Sequence, residues 1–260
     1  MSATVLMIRR DDADAPPSVA VETIDDDALP DGAVTVDVTH SSLNYKDALV
    51  LAGRPGLVRE HPHVPGIDLA GTVHASDDAA FTPGDEVLVT GCWLGERHWG
   101  GMATRARVPA AWVITRPAGM DAHRAMALGT AGFTAQLSVD ALVHGGVRPE
   151  DGPVLVTGAT GGVGSIAVLL LAHAGYEVEA ATGSSGDPEV EALLTGLGAA
   201  RTVTREDVAG AAVWERLHAA VDAELLARLT TTVGLADVPE RAAALLGSGV
   251  RGRTVVDTHA

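Results

Sequence analysis

The stretch Thr157-Gly-Ala-Thr-Gly-Gly-Val-Gly164 has the residue types and spacing of a loop that binds the pyrophosphate of a dinucleotide. Gly158 would allow a tight turn after a strand, and Gly161 would let the backbone approach the phosphates. Gly164 would let the following helix pack closely on the strand. The chemistry indicated is anion binding by backbone amides at the start of a helix.

A glycine pattern of this kind also occurs at ordinary strand-to-helix turns, so the flanking elements decide between the two interpretations. An apolar run beginning at Val154 precedes the loop, a helix-like apolar segment follows it, and Tyr176–Thr182 reads as a second strand. This context favours a cofactor loop. The predicted cofactor contacts from the loop are Thr160, Gly161, Gly162, Val163 and Gly164.

The end of the second strand bears on the choice of cofactor. Folds that prefer NAD place an acidic residue there, about 20 residues beyond the loop, to hold the ribose hydroxyls. Glu179 has about that spacing but lies inside the predicted strand, whereas the strand end reads Thr182-Gly-Ser-Ser185. Hydroxyls and backbone amides suit a 2′-phosphate, so Thr182, Gly183 and Ser184 are predicted to contact the cofactor.

Composition excludes several classes of function. The formal net charge of −16 argues against a nucleic-acid-binding surface, which needs a basic face. Cys92 is the only cysteine, which rules out an intrachain disulfide and a cysteine-cluster metal site. The N-terminus lacks the apolar core of a signal peptide, and the most apolar stretch, Ile166–Ala172, is too short to span a membrane. We therefore expect a cytoplasmic protein that binds neither nucleic acid nor membrane.

The first half of the chain is predicted to be all β, and the periodicity becomes helical from Asp121, where we place a domain junction. His61 and His63 lie in a loop rich in Gly, Pro and His; a metal site is one interpretation, but an exposed loop is favoured and no metal is expected. The predicted strands of this half are Thr4–Ile8, Val19–Thr23, Ala33–Thr39, Ile67–Val73, Asp85–Thr90, Met102–Val108 and Trp112–Thr115.

A full dinucleotide fold needs three more strands after the third one, Arg201–Val203, and the sequence does not show them. Instead, apolar residues at four-residue intervals over Ala209–Leu229 predict one long helix or two short ones. The remaining predicted elements are a strand at Thr230–Val233, a helix at Val238–Leu246 and a last strand at Arg253–Val256.

Several motifs in this order resemble one family, the acrylyl-CoA reductase branch of the zinc-independent medium-chain dehydrogenase/reductase superfamily, whose members are also described as quinone oxidoreductase-like. The resemblance implies an α/β chain with an all-β part: a GroES-like β domain (1–121 and 230–260) plus a truncated Rossmann-type parallel sheet domain (122–229). It also implies NADPH-dependent reduction of an activated C=C bond without zinc. The motifs are Ser41-Ser-Leu-Asn-Tyr-Lys-Asp47, Pro65-Gly-Ile-Asp-Leu-Ala-Gly-Thr72, Gly84-Asp-Glu-Val87, His98-Trp-Gly-Gly101, Gly129-Thr-Ala-Gly-Phe-Thr-Ala135 and Thr157–Gly164.

The resemblance is continuous to about Asp207 and resumes around Trp214, so the chain is similar to a family member from which an internal segment has been removed. In the family, that segment carries the later Rossmann strands, contacts to the nicotinamide half of the cofactor and the edge strand used in dimerisation. We therefore expect that the shortened fold is completed by rearrangement or as a homo-oligomer.

Under this resemblance, the candidate catalytic residues are Tyr45, Asn44 and Asp47. The Tyr45 phenol could donate a proton to an enolate or its carbon, or it could only pack against the nicotinamide ring. Asn44 could donate a hydrogen bond, and Lys46 and Asp47 are expected to pair and orient the segment. The family has a basic residue where this chain has Ser184, which weakens the preference for NADP, and Arg205 matches another phosphate-side arginine, although a surface arginine is an equal alternative.

Two hypotheses follow. In the first, the protein uses NADPH to reduce a small molecule, either a short enoyl-CoA or a quinone. In the second, it is an inactive or repurposed relative that binds a nucleotide or a partner without transferring hydride. The intact motifs around Tyr45 and the glycine loop favour the first.

Overall fold

The computed structural model describes residues 2–10, 12, 16–208, 222–246 and 253–257. The chain forms two compact units, Met1–Val203 and Thr204–Ala260. The strands of the first unit are β1 Ser2–Arg9, β2 Ser18–Asp25, β3 Val34–Ser41, β4 Asp68–Ser76, β5 Glu86–Thr90, β6 Arg105–Val108, β7 Ile114–Thr115, β8 Val154–Thr157, β9 Val178–Ala181 and β10 Arg201–Val203. Its helices are α1 Tyr45–Leu51, α2 Ala122–His144, α3 Gly162–His173 and α4 Pro188–Gly196.

The first part of this unit is antiparallel β structure. Strands β1 and β2 form a hairpin, and five strands form a sheet in the order β6-β3-β4-β5-β7. Alternating residues such as Val34 and Val36 are fully buried, as expected when one face of each strand packs on a core. The predicted strand at Trp112–Thr115 is shorter than expected, since a 3₁₀ turn covers Ala110–Trp112 and only β7 follows.

Helix α2 connects the β part to the parallel sheet. Asp121 caps its start by accepting a hydrogen bond from the Arg124 amide (2.7 Å), so the helix begins at the predicted junction. It bends at Gly129, whose backbone is not helical (φ 47°, ψ −152°). The helix packs against α3 and β4.

Contrary to the sequence expectation, α2 is long and apolar enough to cross a membrane, judged by length and composition alone. Core helices of folded domains meet the same two criteria. The bend at Gly129 and the packing on α3 and β4 are those of a helix within a folded domain.

The parallel sheet has the strand order β10-β9-β8, with α3 between β8 and β9 in sequence and α4 between β9 and β10. Val178, Ala180 and Leu194 are fully buried in its core together with residues of α2 and α3. Among the described residues, no further strand pairs with β8, so the predicted half of a dinucleotide fold is present.

The second unit contains α5 Arg205–Val208, α6 Ala223–Leu229, β11 Thr230–Gly234, α7 Val238–Leu246 and β12 Arg253–Asp257. Strands β11 and β12 pair in parallel, and the Arg241 side chain donates a hydrogen bond to Thr254 Oγ1 (3.0 Å). The predicted strands and helix of this region are confirmed. The predicted helical pattern from Ala209 to Val221, and Trp214 within it, lie outside the described residues, and the domain boundaries at 121 and 229 stay predictions.

Candidate cofactor and active site

The glycine loop joins β8 to α3 as the spacing predicts. Gly158 has a positive φ of 62°, which places the turn directly after the strand. Gly161 precedes the first turn of α3, and the first hydrogen bond of the helix runs from the Ser165 amide to the Gly161 carbonyl (2.9 Å). The amides of Gly162, Val163 and Gly164 therefore have no acceptor within the helix, which is the arrangement that binds an anion.

Of the glycines that follow the turn, Gly164 is required by close approach within the fold, and Gly161 is not. A Cβ on Gly164 would lie 2.2 Å from the Gly158 carbonyl oxygen, so only glycine lets α3 pack this closely on the loop. A Cβ on Gly161 would lie 3.2 Å from the same oxygen, and Gly161 itself is exposed. The absence of a side chain at Gly161 therefore matters more for a ligand that approaches the exposed face of the loop than for packing within the fold.

The end of β9 carries hydroxyls and exposed amides. Thr182 is 5% exposed, and its Oγ1 accepts a hydrogen bond from the Ser184 amide (3.2 Å) and lies 3.5 Å from Thr160 Oγ1. Gly183 and Ser184 are exposed beside it. Thr160 and the 182–184 segment are therefore adjacent, as expected for residues that share one cofactor.

Glu179 lies within β9, and its Oε1 pairs with the Arg201 guanidinium (2.7 Å). The Glu179 carboxylate therefore forms an ion pair with β10 and does not lie at the end of β9, where a ribose would bind. Arg205 is the first residue of α5 in the second unit, and its predicted contact with a phosphate stays a prediction.

The segment that carries Tyr45 forms the start of α1. The Tyr45 side chain is 81% exposed. Lys46 does not pair with Asp47 as predicted: its Nζ binds Oε1 of Glu96 at 3.0 Å, and Glu96 is only 6% exposed. Adjacent residues of a helix point in directions about 100° apart, so Lys46 and Asp47 face different surroundings.

Asp47 is fully buried and holds the start of α1 against the main chain before β4. Its Oδ1 accepts hydrogen bonds from the amides of Gly66 (3.1 Å) and Ile67 (3.0 Å), and its Oδ2 accepts one from the Asn44 amide (2.7 Å). Burial raises the pKa of the Asp47 carboxyl, and these hydrogen bonds partly oppose the rise. Its predicted catalytic role stays a prediction; its contacts are those of a residue that positions the segment.

One cleft of about 600 Å³ brings the Tyr45 segment and the glycine-loop helix together. One wall is Ser42–Lys46, a second is the bend of α2, and a third is the first turn of α3, including Gly162 and Val163. A second cavity of about 480 Å³ lies beside β8, between α2 and α3, and also reaches the glycine loop. Both cavities therefore border the helix N-terminus that is free to bind an anion.

Sequence reasoning missed the polar residues that support this cleft. Asp68 is fully buried, and its carboxylate accepts hydrogen bonds from Ser42, Asn44 and Thr130. A single acidic residue in the apolar run Pro65–Thr72 was the available signal, because an unpaired carboxylate is costly to bury and must therefore find donors.

The interpretation of the histidine loop as exposed is wrong for His63. This side chain is 3% exposed, and its backbone pairs with Ile8 in an isolated bridge. Burial lowers the pKa of His63, and a hydrogen bond with the Gly95 backbone opposes that shift. Among the described residues, no group of three or more His, Cys, Asp or Glu side chains is placed to hold a metal ion.

Comparison with known proteins places this geometry in a family. The model of the alcohol dehydrogenase GroES-like domain matches residues 30–118. The chain is 50% identical to acrylyl-CoA reductase AcuI of Ruegeria pomeroyi over 203 residues, which cover 78% of this chain and 61% of that protein. The chain spans about three fifths of the length of the curated relatives it matches.

Two solved structures match along almost the whole chain. The yhdH oxidoreductase of Salmonella enterica in complex with NADP has a TM-score of 0.74 and 36% identity, covering 99% of both chains. Bacillus subtilis yhfP with NAD bound has a TM-score of 0.75 and 32% identity, again covering 99% of both chains. The predicted fold class, a GroES-like β part with a Rossmann-type parallel sheet, is confirmed. The chain belongs to the acrylyl-CoA reductase and quinone oxidoreductase-like branch of the medium-chain dehydrogenase/reductase superfamily.

Proposed function

We propose that this protein is an NADPH-dependent reductase of an activated C=C bond, with a short enoyl-CoA of the acrylyl-CoA type as its substrate. The observation that carries the proposal is the shared cleft, in which Tyr45 and the free N-terminus of α3 face the same cavity. A reductase of this type needs a bound cofactor and a proton donor or oxyanion partner on opposite sides of a substrate. The names of the relatives support the same reaction class.

The residues present fit NADPH. The amides of Gly162, Val163 and Gly164 would bind the pyrophosphate, and Thr160, Thr182, Gly183 and Ser184 would hold the adenosine side. The exposed Gly161 leaves open the space that a β-carbon would enter. When bound, NADPH supplies the hydride.

The chain itself supplies orientation and a proton. The exposed phenol of Tyr45 can donate to the enolate oxygen or to its carbon once hydride has been delivered to the other carbon of the double bond. Asn44 donates to Asp68 Oδ2 (2.9 Å), Ser42 Oγ (2.9 Å) and Asp47 Oδ2 (3.3 Å), so its amide is fixed within the wall of the cleft. Asp47 holds the helix that begins at Tyr45.

The preference for NADPH over NADH rests on the end of β9. Glu179 is paired with Arg201 within the sheet, while the hydroxyl and amides of the exposed segment at Ser184 are suited to a 2′-phosphate. The two solved relatives contain NADP and NAD, respectively, so both cofactors occur among similar proteins. We expect a modest preference, because Ser184 offers no positive charge.

The second candidate is nucleotide binding without hydride transfer. It is favoured by the parallel sheet, in which the described residues place no strand on the free side of β8. The adenosine and pyrophosphate contacts come from the three strands that are present, whereas the nicotinamide half is held further along a full fold. A misplacement of about 1 Å at the reacting atoms is costly in rate.

NADPH oxidation measured with acryloyl-CoA, crotonyl-CoA and a quinone as separate acceptors tests the proposal. We expect turnover with the short enoyl-CoA substrates. Turnover with the quinone alone would assign quinone reduction, and tight NADPH binding without turnover on any acceptor would assign the second candidate.

We also propose a cytoplasmic location and a homo-oligomer that completes the shortened sheet. The proposed domains are a GroES-like domain of residues 1–121 with 230–260 and a Rossmann-type domain of residues 122–229.

A further inference from the structure

Asp68, the first residue of β4, is a buried carboxylate held by donors from two other segments. It is 0% exposed. Its Oδ2 accepts hydrogen bonds from Ser42 Oγ (2.5 Å), Asn44 Nδ2 (2.9 Å) and the Thr130 amide (3.0 Å), and its Oδ1 accepts one from Thr130 Oγ1 (2.5 Å). Four donors on one carboxylate offset much of the cost of burying its charge.

The first partner segment is the bend of α2. Because Gly129 leaves the helical conformation, the part of α2 that begins at Thr130 has a free N-terminal amide. Asp68 accepts from that amide, so a residue of the β part caps the second half of the helix. A negative charge is favoured at this position by the helix dipole.

Glycine is required at the bend for the same contact. A Cβ on Gly129 would lie 2.7 Å from Asp68 Oδ2 and 3.2 Å from Ser42 Oγ, and φ is positive there. A side chain at residue 129 would therefore collide with the Asp68 carboxylate that caps the helix at Thr130.

The second partner segment leads directly into Tyr45. Ser42 and Asn44 both donate to Asp68 Oδ2, and Asn44 immediately precedes α1. The segment from Ser42 and the bend of α2 both line the cleft, and α2 packs along α3, whose first turn is the third wall. One carboxylate thus connects the candidate proton donor to the helix that lies against the cofactor loop.

We infer that Asp68 is a positioning residue, which fixes Tyr45 relative to the glycine-loop helix by binding the Ser42–Asn44 segment and the second half of α2 at once. This inference rests on the proposed reductase function. Asp68 is 0% exposed and is not among the residues that line the cleft, so its effect is on the position of Tyr45, while the amides at the start of α3 are unaffected.

The test compares Asp68→Ala and Asp68→Asn with Asp140→Asn as a control. Asn can keep an oxygen toward Ser42, Asn44 and the Thr130 amide, while its amide group faces the Thr130 hydroxyl, which can accept as well as donate. Asp140 lies on the exposed face of the same helix. For each protein we would measure the NADPH dissociation constant, kcat with the enoyl-CoA and hydrogen exchange of the 41–47 and 129–136 segments.

We expect Asp68→Ala to lower kcat about 100-fold, with the NADPH dissociation constant changed less than threefold, because misplacement acts on the chemical step. Asp68→Asn should restore kcat to within about tenfold of the wild type, and Asp140→Asn should match the wild type. A kcat for Asp68→Ala within threefold of the wild type would overturn the inference, as would equal losses in kcat and NADPH binding that Asn does not restore.

If the wild type shows no turnover, the proposed function fails and the inference is decided by hydrogen exchange. Asp68→Ala should then accelerate exchange in both segments together, and Asp68→Asn should not. Unchanged exchange in either segment of Asp68→Ala would refute the connection. If Asp68→Ala folds too weakly for kinetics, Ser42→Ala replaces it in the hydrogen-exchange experiment. Ser42→Ala removes one donor to Asp68 and should accelerate exchange in the 41–47 segment before the 129–136 segment.

Discussion

The α-carbon of Gly164 lies against the carbonyl oxygen of Gly158, so that a β-carbon on Gly164 would come within 2.2 Å of that oxygen. Gly161, three residues earlier, has an extended backbone (φ −78°, ψ 166°) that any residue can adopt, and its β-carbon would meet the same oxygen only at 3.2 Å. The two glycines therefore have different reasons to lack a side chain. Gly164 must pack against Gly158, whereas Gly161 must leave room for the cofactor.

Substitution separates the two reasons. Gly164→Ala should lower the free energy of unfolding by about 2 kcal/mol or more, because the backbone must shift. Gly161→Val should leave the melting temperature within a few degrees of the wild type and abolish NADPH binding, as measured by fluorescence titration. Gly196→Ala, at an open position near the end of α4, is the matched control and should change neither. Unchanged NADPH binding in Gly161→Val would show that the loop does not hold the cofactor.

The hydroxyl of Tyr45 is the group that distinguishes proton donation from packing. If it donates to the enolate, Tyr45→Phe should lower kcat about 100-fold with little change in NADPH binding, since general acid catalysis contributes roughly that much. Tyr45→Ala should lower kcat further, because the contact between the Tyr45 side chain and the nicotinamide ring is also lost. Equal kcat in the wild type and Tyr45→Phe, with a loss only in Tyr45→Ala, would assign Tyr45 to packing. Single-turnover NADPH oxidation is the measurement.

A positive charge at Ser184 should strengthen the preference for NADPH. A charge-assisted hydrogen bond to a 2′-phosphate contributes about 1.5 to 3 kcal/mol, so Ser184→Arg should raise the ratio of NADPH to NADH affinity by roughly tenfold or more. Ser184→Ala is the control for loss of the hydroxyl. An identical ratio in Ser184→Arg and the wild type would place the 2′-phosphate elsewhere.

His63 should make the fold sensitive to acid. Burial lowers the pKa of His63 in the folded state from the ordinary 6.5, so the unfolded chain binds a proton that the folded chain does not. Stability from this group is complete above about pH 6.5 and falls as the pH decreases, by up to about 1.4 kcal/mol per pH unit. In denaturant unfolding from pH 7 to about pH 5, His63→Gln should lose less free energy of unfolding per pH unit than the wild type. His173→Gln, at an exposed histidine, should retain the slope of the wild type.

Local patterns were enough to predict most of the elements that build the site. The strands of the β part follow from alternation, and the loop at Gly158–Gly164 follows from the separate steric reasons for its glycines. These features depend on residues that are close in sequence, so a single sequence contains the necessary information.

The supporting contacts could not be predicted because they join distant residues. Lys46 binds Glu96, 50 positions away, although Asp47 is its neighbour in sequence. The bend of α2 at Gly129 lies against Asp68, which is on strand β4, and a glycine within a helical pattern does not reveal that contact. His63 is buried because its loop packs against β1, whereas a composition rich in Gly and Pro indicates only an irregular backbone.

The Lys46–Glu96 contact also brings the only lysine of the chain, which lines the cleft, to the segment that follows its only cysteine. Lys46 is the only lysine of the sequence and Cys92 the only cysteine, and Cys92 is exposed four residues from the glutamate that binds Lys46. One maleimide dye and one amine-reactive dye would therefore each label a single side chain, apart from the terminal amine. The pair would report any change in the distance between residues 46 and 92 when NADPH binds, without any engineered substitution.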